Sequence, residues 1–161
     1  MAAPTTGWFR CRIIFAIIGV IVGLSVFIVF ATKFYNWNTA LWGLLSGVGA
    51  LITLIVHLLY RKGVWQTYSY RLRYYMLLGC FLQLAGVCGF VTYLSLGIVQ
   101  KQVLTPYGNG FYLTCVWCFM TWKWGFSLFY YSRSYKQEFS DVYTIVAKED
   151  SVYESDPLIS D

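Results

Sequence analysis

Two side chains in this sequence stand where their chemistry is costly. His57 is the only histidine among 161 residues. Lys123 lies between Trp122 and Trp124, inside the apolar and aromatic stretch 111–126. An ammonium deep in a bilayer costs roughly 2.5–3.5 kcal/mol on insertion scales. A neighbouring carboxylate normally offsets that cost, but all seven acidic residues fall between Glu138 and Asp161. Lys123 therefore needs water, a backbone carbonyl or an anion brought from outside. One histidine with no membrane-embedded acid cannot make an acid–base pair or a carboxylate relay, so no enzyme is expected. Cys115 and Cys118 form a C-x-x-C with no second ligand pair, and they read as packing residues rather than a metal site.

Both residues belong to long apolar segments. The chain is 58% hydrophobic, 20% aromatic and only 12% charged, with a mean hydropathy of +0.58. Soluble domains carry about 25% charged residues, so the deficit points to an integral membrane protein. About 20 apolar residues cross a bilayer as a helix. The expected fold is all-α with four transmembrane helices, over about 13–32, 40–60, 74–99 and 111–131. Residues 1–12 form a short N-terminus, and residues 132–161 a polar, acidic tail expected to be largely disordered. Gly19 and Gly23 give a G-x-x-x-G in the first span, and Gly43, Ser46, Gly47, Gly49 and Ala50 give the second a small-residue face. Both patterns suit close helix packing.

Orientation follows from the basic residues. With four spans, the termini and the 61–73 loop share a side that holds nine Lys and Arg, against Lys33 and Lys101 opposite. Both termini are therefore expected in the cytosol. The net charge of +5 is a juxtamembrane property and no sign of nucleic acid. In the tail, Glu154 stands four positions before Leu158-Ile159, as in an acidic dileucine signal. Tyr143 and Val146 have the spacing of a tyrosine-based endocytic signal. The pair predicts cycling through the endosome or lysosome membrane, with the plasma membrane as a further station, and clathrin-adaptor machinery as a partner.

His57 alone reads as a satisfied interfacial histidine, and Lys123 alone as a snorkelling lysine. Lys123 lies about 12 Å from the cytosolic end of its span at 1.5 Å per residue, a long reach to water. Taken together, both sit in the cytosolic halves of their helices, about 8 Å apart in height. Facing one cavity, they would frame a flat, apolar, anionic ligand. Haem has that character: neutral imidazole ligates its iron, a lysine can pair with a propionate, and Trp117, Trp122, Trp124 and Phe126 offer faces for the ring.

The segments Ile55-Val-His57-Leu-Leu-Tyr60, Phe111-Tyr-Leu-Thr-Cys-Val-Trp117 and Trp122-Lys-Trp124 resemble the haem-responsive gene family of eukaryotic haem transporters. The resemblance runs over roughly residues 13–142. It implies a four-span permease with cytosolic termini that moves haem from outside the cell, or out of endolysosomes, into the cytosol. By this likeness His57 matches the family's second-helix histidine, a proposed ligand of haem iron. Tyr131-Ser-Arg133-Ser-Tyr135 is similar to the family's aromatic-small-Arg-Lys-Tyr tail motif, with serine in the lysine position, and Tyr131, Arg133 and Tyr135 would line the cytosolic exit. Relatives carry a histidine in the loop between the third and fourth spans, and this chain has none there. Tyr107 or Tyr112 is then expected to serve haem capture on the non-cytosolic side. Four helices are few for a path, so a homo-oligomer in membrane lipid is expected. The rival reading is a non-transporting tetraspan adaptor that traffics with a partner membrane protein.

Overall fold

The computed structural model describes residues 6–103 and 110–154, with side chains for 7–103 and 110–139. Tyr107, Leu158 and Ile159 lie outside the described residues, and nothing is described of the side chains of Tyr143, Val146 and Glu154. Every regular element among the described residues is helical. Helix α1 spans Thr6–Thr32, α2 Trp37–Arg61, α3 the single turn Val64–Thr67, α4 Leu72–Val99 and α5 Phe111–Glu154, with a 3-10 turn at Ser69–Arg71 before α4.

Three of these helices are long and apolar enough to cross a membrane, over Gly7–Thr32, Trp37–Arg61 and Ser69–Val99. The fourth expected span does not stand out by hydropathy. Lys123, Thr114, Thr121 and several indole and phenol rings dilute its apolar character.

Helix α1 packs on α2, α4 packs on α5, and α2 against α5 joins the two pairs. Half of the most apolar window of α2 is buried, against 11% for α1, so α2 is central and α1 is peripheral. The α1–α2 crossing depends on Gly23 and Gly47. A Cβ on Gly23 would lie 2.5 Å from the Gly47 Cα, so only hydrogen fits there. Gly19 makes room for the indole of Trp124, which reaches across from α5.

The turn into α2 is fixed by Asn36. Its side chain accepts from the Thr39 backbone N–H at 3.1 Å, capping the helix, and donates to the Gly110 carbonyl at 3.2 Å. At the other end of α2, Gly63 takes a left-handed φ of 69°, and Trp65 folds back to donate its indole N–H to the Val56 carbonyl.

The expected disorder of the tail is corrected over residues 132–154, where α5 continues as helix to Glu154; residues 155–161 lie outside the described residues. No glycine or proline interrupts residues 126–154, so nothing breaks the helix where it leaves the apolar region. Tyr135, 1% exposed, belongs to the main core, and Phe139 packs on that core.

Candidate functional site

The site forms where α1, α2 and α5 meet near Arg61. His57 is 1% exposed, and its Nδ1 is 2.8 Å from the Tyr135 hydroxyl. Three aromatic rings surround this pair. Tyr131 meets the imidazole edge-on at 4.6 Å and Phe9 at 5.9 Å, while Tyr60 stacks on Tyr135 at 4.0 Å. The Tyr60 hydroxyl donates to the Glu138 carboxylate at 2.9 Å, which ties the end of α2 to α5 one turn further on. Tyr131, Tyr135 and Glu138 follow one another at helical spacing, so a continuous α5 brings all three to the α2 side. Burial pushes the Tyr135 hydroxyl above the ordinary tyrosine range, against a smaller downward pull from Arg12. It therefore stays protonated at neutral pH.

Beside His57 lies a cavity of about 260 Å³ whose wall includes Lys123, Trp124, Arg12, Tyr131 and Cys11. His57 and Lys123 thus face one space. The Lys123 ammonium rests 4.5 Å from the Trp124 ring centroid, a cation–π contact that holds charge without a carboxylate. Arg12 places its guanidinium 4.8 Å over the Tyr131 ring. The wall therefore offers an imidazole, two cations, four aromatic side chains (Trp8, Phe15, Trp124 and Tyr131) and a thiol. Imidazole and thiolate are both recognised ligands of haem iron. With Nδ1 bonded to Tyr135, the Nε2 edge is what the imidazole has left for a ligand.

The other residues named from the sequence lie elsewhere. Trp122 is two positions from Trp124, about 200° around the helix, and cannot share its face. It stacks with Phe119 and Phe126 in a ladder on the outer side of α5, which Tyr130 extends. Trp117 is half-buried one turn before Thr121, whose hydroxyl donates to its carbonyl. Tyr112 packs its ring against Gly97, at the opposite end of the bundle from His57. Arg133 is exposed. Arg12, Cys11, Tyr60 and Glu138 are members of the site or its support that sequence reasoning did not single out. The one available signal was that helix could begin before residue 13 and carry Arg12 inward.

A second cavity of about 430 Å³ lies next to this one, beyond Phe9 and Tyr60, and Arg10, Arg61 and Glu138 line it.

Comparison with known proteins bears on this arrangement. The family described as haem-transporter, endosomal/lysosomal, haem-responsive gene matches residues 72–124, which cover α4, the following loop and α5 through Trp124. The haem transporter hrg-1 of Caenorhabditis elegans is 28% identical over 136 residues, covering 80% of this chain and 70% of its own length. No solved structure matches. The resemblance to the haem-responsive gene family holds on both counts. Lys123, Trp122 and Trp124 fall inside the matched segment, and His57 falls outside it.

Proposed function

We infer that this chain is a haem transporter of the haem-responsive gene kind, moving haem across an endolysosomal or plasma membrane into the cytosol. The observation that carries the reading is the shared cavity. The only histidine and the intramembrane lysine, 66 positions apart in sequence, line one space walled by aromatic rings. In this reading α5 crosses the membrane over about 111–131 as the fourth span. The excess of basic residues beside the termini puts them, and the His57 end of the bundle, in the cytosol.

The substrate binds with its iron at His57 Nε2 and its ring edge against Trp124. Ligation through Nε2 uses the tautomer in which Nδ1–H donates to the Tyr135 oxygen, and that bond orients the imidazole. Lys123 pairs with a propionate. Drug-sized ligands occupy roughly 300–1,000 Å³, so a cavity of about 260 Å³ receives one edge of the porphyrin. α1, the least buried wall, yields to admit the rest. Homo-oligomer formation, traffic through endosomes by way of the tail signals, and engagement of clathrin adaptors complete the proposal.

Complementation tests it. In a host that cannot make haem, the chain should restore growth on supplied haem, and His57→Ala at matched membrane abundance should not. Full growth with His57→Ala would overturn the reading and favour the tetraspan adaptor.

A further inference from the structure

Arg12 has no role in the transport reading so far, yet it is the second cation on the cavity wall. Its Nε is buried and has no hydrogen-bond partner. A buried guanidinium nitrogen left unpaired is costly, and native structures rarely keep one without a ligand or water to satisfy it. The Tyr135 hydroxyl engages the Arg12 side chain but leaves the Nε unpaired, and no acid neutralises the charge. Glu138 is the only acidic residue whose side chain is described, and it is bonded to Tyr60 and lines the neighbouring cavity rather than this one. Trp124, 5% exposed, adds a second orphan on the same wall, an indole N–H with no acceptor. Arg12, Lys123 and the Trp124 indole are all donors, and no carboxylate shares their cavity. A wall that presents two cations and a free N–H, with an imidazole beside them, is matched to an acceptor-rich dianion.

We propose that Arg12 and Lys123 are a paired recognition element for the two carboxylates of a porphyrin, so that the cavity selects dicarboxylate macrocycles. This rests on the haem-transport reading and adds to it. His57 reads the metal, while Arg12 and Lys123 read the carboxylates, and the two forms of recognition are separable. Arg12 presents a planar fork suited to bidentate carboxylate binding, whereas Lys123 acts as a point charge, so the two are not interchangeable.

The test is made on purified full-length protein in detergent. Iron mesoporphyrin as the dicarboxylate is compared with its dimethyl ester, which keeps the metal and the ring and removes both charges. Wild type should bind the ester at least about tenfold more weakly, the loss expected when charge-assisted bonds are removed. Arg12→Gln should weaken dicarboxylate binding by about tenfold and leave ester binding unchanged. Arg12→Lys should recover part of the loss. The ligand comparison in wild type does not depend on any variant folding. Equal affinity of wild type for both ligands overturns the proposal, as does an Arg12→Gln loss that is the same for both. If wild type binds neither ligand, the transport reading itself fails. If both bind equally but His57→Ala abolishes both, the transport reading stands and the carboxylate element falls.

Discussion

The Tyr135 hydroxyl is the point at which the account is most exposed to a single-atom change. Tyr135→Phe removes one oxygen and leaves the ring, so the stack on Tyr60 at 4.0 Å is kept. What disappears is the 2.8 Å bond to His57 Nδ1, together with the hydroxyl's contact with Arg12. Both His57 and Tyr135 are 1% exposed, so water does not replace the bond between them. Leaving a buried polar nitrogen unpaired costs about 1–3 kcal/mol. At about 1.4 kcal/mol per decade, that is roughly five- to 150-fold in an equilibrium constant. Where Tyr135 orients the imidazole toward iron, part of that cost appears as weaker haem binding. Titrating haem into wild type and Tyr135→Phe by Soret absorbance, alongside thermal unfolding of the ligand-free proteins in detergent, separates affinity from stability. An affinity loss with altered Soret character supports the positioning role. A variant that loses stability yet binds haem with wild-type affinity and spectrum refutes it, because His57 would then hold its orientation unaided.

Three further outcomes follow from other parts of the structure. Gly23→Leu should lower the thermal unfolding midpoint, with a cost of at least about 1–3 kcal/mol, because its Cβ would meet the Gly47 backbone; an unchanged midpoint would rule out the close α1–α2 crossing. Asn36→Ala should cost about 0.5–2 kcal/mol, because it removes the α2 cap, and it also cuts the link to Gly110; denaturation curves of the two proteins would measure it. The raised Tyr135 pKa predicts alkaline sensitivity. The stability that neutral Tyr135 contributes is complete below its unfolded value of 10.0 and is lost as pH rises through the higher folded value. Unfolding followed above pH 10 should therefore be steeper for wild type than for Tyr135→Phe.

How far the site could be read in advance differed from residue to residue. His57 and Lys123 were readable because each is chemically out of place in an apolar segment, and their heights alone put both in the same half of their helices. The separation of Trp122 from Trp124 was readable from the helical period, but composition drew attention to the whole tryptophan cluster. Arg12 carried only one signal, that helix could begin before residue 13. Counted as a flanking charge, it became a wall residue only because α1 begins at Thr6 and turns it toward Tyr131. The tail misled for a related reason. Its polar, acidic composition suggested disorder, whereas Tyr135 and Phe139 recur at helical spacing and pack on the core. The partnership of Tyr60 with Glu138 depends on that continuation, because the acid reaches α2 only if α5 stays helical past its apolar stretch. Pairings between helices, such as Thr39 with Thr114, are set by rotation and register, which a single sequence does not encode locally.

The central claim is that His57 is the residue that receives haem iron, and the most direct measurement is a haem titration of purified wild type and His57→Ala, read by the Soret band. Saturable binding with a histidine-type spectrum is expected in wild type, and loss of that spectrum in the variant. Identical spectra and affinities in the two proteins would contradict it, as would a wild type that binds no haem.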